Sequence, residues 1–85
     1  YITDSVGWGY YLIGDYINAE KYLKKAVKLM PSDPIVNDHY GDVLWQLDRK
    51  LQAKYFWENV LVLEETEDEM KRKIKLKLIN GPEKI

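Results

Sequence analysis

The chain has 85 residues, a length that suits one small domain. Hydrophobic residues make up 46% of it and charged residues 32%, proportions that are typical of a folded protein rather than a disordered one. The 13 basic and 14 acidic side chains nearly cancel, which argues against general nucleic-acid binding, and the absence of cysteine excludes disulfides and thiolate-bound metals.

The first predicted helix runs from Ile2 to Ile13, and Gly14 ends it as a left-handed cap. Apolar side chains at helical spacing indicate two faces. The face that we expect to pack carries Val6, Tyr10 and Ile13. The second face carries Asp4, Trp8 and Tyr11. Gly7 costs about 1 kcal/mol of helix propensity relative to alanine, so we expect a neighbouring helix to approach closely there.

The second predicted helix runs from Tyr16 to about Met30, with Asp15 as its N-cap and Pro31 as its stop. It has a broad apolar stripe on one side. The stripe comprises Ile17, Ala19, Tyr22, Leu23, Ala26, Val27 and Leu29.

The third predicted helix begins at Pro34, a residue that suits the first helical position, after Asp33 as N-cap, and it ends near Leu47. Its expected packing face comprises Val36, Tyr40, Leu44 and Leu47. Its other face comprises Asp38, Asp42 and Trp45. After a turn in which Asp48 can adopt the left-handed conformation, a fourth helix runs from about Lys50 to Leu63.

The fifth predicted helix follows Thr66 and Glu69, whose spacing is that of a capping box, and ends at about Asn80 before Gly81 and Pro82. Met70, Ile74 and Leu78 form its expected apolar stripe. Its basic side chains, which we expect to face solvent, are Lys71, Arg72, Lys73, Lys75 and Lys77.

An internal repeat relates the first four helices. Gly7 recurs as Gly41 and Ala19 as Ala53, an offset of 34 residues, and a fixed period of this size is the signature of stacked helical units. We therefore expect one module with repeat one at about 1–33, repeat two at about 34–66, a closing helix at about 67–80 and a tail at 81–85.

Both copies of the repeat resemble tetratricopeptide repeats. The matching residues are Gly7, Tyr10, Gly14, Tyr16, Ala19, Leu23, Ala26 and Pro31 in the first copy and Gly41, Leu44, Ala53, Trp57 and Val60 in the second. The second copy departs from the family pattern in residue type: Asp48 replaces a usual glycine, Val60 is an apolar residue larger than the usual alanine, and Glu65 replaces a usual proline. The chain further resembles the closing repeats of long bacterial tetratricopeptide proteins.

The resemblance implies an all-α, right-handed α-solenoid of two helix-turn-helix repeats with a C-terminal capping helix, five helices in all. It also implies a concave groove, lined by the first helix of each pair, in which a peptide or a partner helix docks. The groove positions here are Asp4, Trp8, Tyr11, Leu12, Asp38, Asp42, Trp45, Gln46 and Arg72, with Leu76 and Ile79 beside them.

These positions favour a non-enzymatic protein–protein interaction module that needs no cofactor and acts as part of a scaffold or adaptor. Trp8, Tyr11 and Trp45 are either binding anchors in the groove or core residues, and the sequence leaves both readings open. His39 and Asp42 could share a metal, but one imidazole is a poor ligand set, so we expect a hydrogen-bonded histidine between helices.

Two alternative functions remain open at this point. The exposed face of the first helix could stack on upstream repeats of the same chain, or could join two copies of this fragment. The basic fifth helix could instead lie on an anionic membrane surface. Its apolar stripe has the same phase as those of the first and third helices, which favours a capping helix over a membrane-bound one. We expect the sequence to be a piece of a longer protein.

Overall fold

The computed structural model describes residues 2–82, which form five α-helices and no strand. In chain order they are α1 (Ile2–Leu12), α2 (Tyr16–Leu29), α3 (Pro34–Gln46), α4 (Lys50–Val62) and α5 (Asp68–Asn80). Each helix packs on the next one along the chain, and α1 also contacts α3. The all-helical class and the five predicted helices are therefore confirmed, whereas Tyr1 and the last three residues of the predicted tail lie outside the described residues.

Local side-chain chemistry sets the ends of α2 and α3 as predicted. The Asp15 carboxylate accepts a hydrogen bond from the backbone N–H of Asn18, and the Asp33 carboxylate accepts bonds from the first turn of α3. Gly14 and Asp48 have φ angles of 83° and 62°, so both adopt the left-handed conformation expected at these two turns.

The predicted capping box at α5 is wrong. The N-cap of α5 is Glu67, and its side chain makes no capping hydrogen bond. Thr66 instead donates its hydroxyl to the backbone carbonyl of Val60 at 2.6 Å. Thr66 is buried, and its hydroxyl adds a second hydrogen bond to the Val60 carbonyl, which also accepts one from the backbone N–H of Leu63 at 3.3 Å. This bond ties the α4–α5 loop to α4.

Two glycines at equivalent positions of the repeat let the paired helices approach closely. A Cβ atom added to Gly7 would lie 2.7 Å from Cγ of Leu23 on α2, and one added to Gly41 would lie 2.6 Å from Cδ1 of Trp57 on α4. Both distances are far shorter than an ordinary contact of about 3.5–4 Å between carbon atoms. The predicted close approach at Gly7 is confirmed, and the second repeat uses the same device.

The packing faces differ between the two repeats. In α3 the predicted face is confirmed, because Val36, Tyr40 and Leu44 are buried. In α1 the prediction is confirmed for Tyr10, which packs against the core and stacks on Tyr22 of α2. It is wrong for Val6 and Ile13, which are 40% and 76% exposed. The reason is that α2 packs on the side of α1 that carries Gly7 and Tyr11, which leaves the Val6 side uncovered by α2.

A buried asparagine joins the turn between α2 and α3 to helix α4. Asn37 donates its side-chain amide to the carbonyls of Pro31 and Asp33 and accepts a hydrogen bond from Asn59 of α4. All its polar groups therefore have partners, which removes the main cost of burying an amide. None of the helices described in residues 2–82 has the length and hydrophobicity needed to cross a membrane.

Candidate functional site

A cavity of about 470 Å³ opens between α1, α3 and α5. Ligand pockets usually measure about 300–1,000 Å³ and combine apolar walls with a few polar groups. The walls of this cavity likewise combine aromatic and aliphatic surface with a few charged side chains. The lining residues are Trp8 and Tyr11 from α1, Asp38, His39 and Asp42 from α3, and Lys73, Leu76, Lys77, Asn80, Gly81 and Pro82 from the C-terminal part of the chain.

Stacked aromatic rings form the wall between α1 and α3. The Trp8 ring lies parallel to the His39 ring, with centroids 3.9 Å apart, and to the Tyr11 ring, with centroids 4.5 Å apart. Nδ1 of His39 lies 3.0 Å from a carboxylate oxygen of Asp4, which fixes the imidazole across the two helices. His39 is therefore the hydrogen-bonded interfacial histidine that the sequence predicts. The described part of the chain contains no cluster of three or more metal-binding side chains.

A buried ion cluster forms the floor of the cavity and joins α3 to α5. The Nζ atom of Lys77 donates to Oδ1 of Asp38 at 2.7 Å, and to Oδ1 and Oδ2 of Asp42 at 3.0 and 3.1 Å. Asp42 is only 4% exposed, and the side chain of Lys77 beside it is 16% exposed. Such a cluster is costly to desolvate, so it is stable only while every charge keeps its partners.

Burial and like charge shift the proton equilibria of this cluster. Burial first, and then the negative charge of Asp38, raise the pKa of Asp42 to about 7 against the opposing effect of Lys77. Burial alone would lower the pKa of Lys77, but the two carboxylates outweigh it and raise that pKa above its usual value. When both carboxylates are ionised, the floor carries one more negative charge than the single ammonium group compensates.

Tyr11 belongs to the core as well as to the cavity wall. Its side chain is 2% exposed, it packs on Tyr16 of α2, and its hydroxyl accepts a hydrogen bond from Gln46 at 3.4 Å. Burial is the main reason why the pKa of Tyr11 is raised. A tyrosine hydroxyl is protonated at neutral pH even without this shift, so Tyr11 adds no charge to the floor.

The structure brings together only some of the predicted groove residues. Trp8, Tyr11, Asp38 and Asp42 line the cavity, and Asp4 reaches its wall through His39. The remaining predicted residues, which do not line the cavity, are Leu12, Trp45, Gln46 and Arg72.

Trp45 lies near the C-terminal end of α3, beyond the part of the helix that lines the cavity. Its ring packs against Trp57 with a centroid distance of 5.5 Å, lies under the ammonium group of Lys50, and contacts the backbone of Gly81. Arg72 is exposed and faces Glu69 of its own helix. The structure therefore favours a packing role for Trp45, one of the two readings that the sequence leaves open.

Lys77 is the functional residue that the sequence analysis misplaced. We expected it on the solvent-exposed side of α5, but its side chain is buried against Asp38 and Asp42. The repeat itself contains the missed signal. Counting back 34 residues from Lys77 gives Val43, which is fully buried, so the equivalent position of α3 faces inward, although Gly9, the equivalent position of α1, is exposed.

Comparison with family models, with curated proteins and with solved structures finds no match to this chain. The class that the described residues define is an all-helical protein of five helices with an internal helical repeat.

Proposed function

We propose that the chain is a module of two tetratricopeptide-type repeats with a closing helix, and that it binds a segment of a partner protein in the cavity between α1, α3 and α5. The role proposed is that of a scaffold or adaptor, with no chemical step and no cofactor. The offset of 34 residues between the helix pairs and the packing of each helix on the next both support the solenoid arrangement.

The cavity itself is the observation that carries the proposal. The helices that line it, α1, α3 and α5, occupy the same place in successive copies of the repeat, so the cavity lies on one side of the array. Such repeated first helices create the extended concave surfaces that solenoid proteins use for binding. Trp8 presents an aromatic ring there, and aromatic side chains in partly enclosed pockets are typical binding anchors.

Selection from a random peptide library displayed on phage tests this proposal. The selected peptides would be titrated by fluorescence anisotropy into the wild type, Trp8→Ala and Tyr55→Ala. Tyr55 is the matched control because it is an exposed aromatic residue on α4, outside the cavity. We expect Trp8→Ala to weaken binding by about tenfold or more, the loss typical of an interface hot spot, and Tyr55→Ala to leave it unchanged.

Circular dichroism would show that Trp8→Ala remains folded under the conditions of the titration. The proposal is refuted if the library yields no peptide that binds, or if the peptides bind Trp8→Ala and wild type with equal affinity.

Self-association is a second candidate that one observation favours. Val6 and Ile13 are exposed, whereas their counterparts in repeat two, Tyr40 and Leu47, are buried and half-buried beneath neighbouring helices. An upstream helix of the same chain or a second copy of the fragment would cover this apolar face. Sedimentation velocity over a range of concentrations tests the second copy, and a monomer at every concentration would remove it.

Membrane-surface binding through α5 has weaker support. Ile74 is fully buried, and Met70 and Leu78 pack against the core, so the apolar stripe of α5 already has partners within the protein. Leu76 and Ile79 are exposed beside basic residues, which is the feature that favours this candidate. Co-sedimentation with anionic vesicles, compared between the wild type and Lys71→Glu/Lys75→Glu, tests it.

A further inference from the structure

The floor of the cavity has a hydrogen-bond acceptor that no residue between 2 and 82 uses. The ammonium group of Lys77 donates to one oxygen of Asp38 and to both oxygens of Asp42, which lie so close together that a single N–H serves them both. The other carboxylate oxygen of Asp38, Oδ2, accepts no hydrogen bond from any residue between 2 and 82. A ligand that reaches the floor therefore meets a free acceptor.

The charges at the floor also favour a cation. Two carboxylates, Asp38 and Asp42, share one ammonium group, so a negative charge is left over when both are ionised. Burial with Asp38 raises the pKa of Asp42, because a proton relieves this excess. A second cation would relieve it equally well. The other basic residue of the lining, Lys73, is exposed to solvent, where water screens its charge.

The walls suit a long side chain with a charged end. Trp8 and His39 present aromatic surface and Leu76 presents aliphatic surface, so a methylene stem can pack between α1 and α5. A guanidinium group stacks on aromatic rings and donates two parallel hydrogen bonds to a carboxylate. The cavity volume of about 470 Å³ leaves room for such a side chain and the backbone on either side of it.

We propose that the cavity between α1, α3 and α5 receives a basic side chain of the partner segment, with its charged end at Asp38 and its stem along Trp8 and Leu76. This inference rests on the proposed function and names the chemistry of one anchoring residue of the partner. An acidic side chain fits the site less well, because it would meet the free oxygen of Asp38 and the second carboxylate of Asp42 beside it.

Small probes test the inference without knowledge of the partner. Nα-acetyl-arginine amide, the uncharged Nα-acetyl-citrulline amide and Nα-acetyl-glutamate amide would be titrated separately into the intact chain and followed by ¹H–¹⁵N NMR. We expect saturable shifts of the Trp8 indole and of the Asp38 and Asp42 amides with the arginine probe alone. Equal binding of the citrulline probe, or shifts at these groups with the glutamate probe instead, would overturn the inference.

Substitution of the acceptor provides a second test. Asp38→Asn keeps the shape of the side chain and removes its charge, and we expect it to weaken binding of the arginine probe by about tenfold, the effect of losing a charged hydrogen bond. Glu58→Gln is the control, because it removes an exposed charge on α4 outside the cavity. Unchanged binding by Asp38→Asn would contradict the assignment. If Asp38→Asn does not fold, the comparison of arginine with citrulline on the wild type still decides it.

Failure of this inference can be told apart from failure of the proposed function. Peptides from the phage library that require Trp8 but tolerate replacement of each arginine by citrulline and each lysine by norleucine would refute the basic anchor and leave the peptide-binding function standing. A library that yields no binding peptide would refute the proposed function, whatever the arginine probe does.

Discussion

The close contact between α3 and α4 predicts opposite effects for two glycine-to-alanine substitutions. In Gly41→Ala the added Cβ would lie 2.6 Å from Cδ1 and 3.0 Å from Cε2 of Trp57. Trp57 is fully buried and packs against Trp45, so its ring cannot move aside without disturbing the core. Overpacking of this kind costs about 1–3 kcal/mol, and the clash here lies at the upper end of that range. The gain in helix propensity of about 1 kcal/mol offsets only part of it.

Gly9→Ala is the matched control for this prediction. Gly9 is an exposed residue within α1, and an added Cβ would have no atom within 4 Å. The substitution should therefore raise the free energy of unfolding by about 0.5–1 kcal/mol, through helix propensity alone. We expect Gly41→Ala to lower the free energy of unfolding by about 2 kcal/mol, so that the two variants differ by about 3 kcal/mol.

Urea denaturation followed by far-ultraviolet circular dichroism measures both values, with the slope of each transition checking that folding remains two-state. In a domain of this size, 1 kcal/mol corresponds to about 4–8 °C in the melting temperature, so thermal melts would show the same order. If Gly41→Ala proves as stable as Gly9→Ala, α3 and α4 do not pack at the distance described and the position of Trp57 is wrong.

Three further predictions concern the cavity floor and Trp45. The pKa of Asp42 is raised from 3.8 to about 7, so the folded chain holds a proton that the unfolded chain releases, and stability should fall as the pH rises from about 4 to about 7. Urea denaturation at each pH gives the free energy of unfolding, and Asp42→Asn should remove from its plot against pH a slope of at most about 1.4 kcal/mol per pH unit. An unchanged slope would contradict the raised pKa of Asp42. Lys77→Met leaves the buried carboxylate of Asp42 and the half-buried carboxylate of Asp38 unpaired and should lower the free energy of unfolding by about 3 kcal/mol. The exposed control Lys75→Met should change it by less than about 0.5 kcal/mol, and equal stabilities of the two variants would refute the ion cluster. Trp45→Ala should lower the free energy of unfolding by about 2 kcal/mol, less than the loss of a fully buried tryptophan, because Trp45 is only half-buried. It should leave the affinity of cavity-binding peptides unchanged. A loss of affinity like that expected for Trp8→Ala would place Trp45 in the site.

The parts of the fold that depend on local chemistry were predictable. Asp15, Asp33 and Gly14 mark helix ends because each interacts with backbone groups within a few residues of itself. The capping box at Thr66 failed for the opposite reason. Its hydroxyl found a partner at Val60 in the preceding helix, and the pattern of residues within α5 contains no sign of that competition.

The face of α1 that is buried could not be read from α1 alone. Its two apolar faces are equally plausible by spacing, and the choice was made by the neighbouring helix, whose Leu23 enters the gap at Gly7. The candidate site shows the same limit. Asp38 and Asp42 were assigned to the groove from the repeat, but their shared partner, Lys77, lies 39 and 35 residues further along the chain. Charge pairing over such distances depends on tertiary packing, which periodicity within one helix does not report.

The central claim is that a partner segment binds between α1, α3 and α5, and the tryptophan indole groups test it most directly. The chain has three tryptophans, of which Trp8 lines the cavity and Trp45 does not. The measurement is a ¹H–¹⁵N spectrum of the indole N–H groups during titration with a library-selected peptide. We expect the indole signal of Trp8 to show a saturable shift while the indole signal of Trp45 stays in place. A shift of Trp45 with Trp8 unmoved, or saturation of binding with neither signal moved, would contradict it.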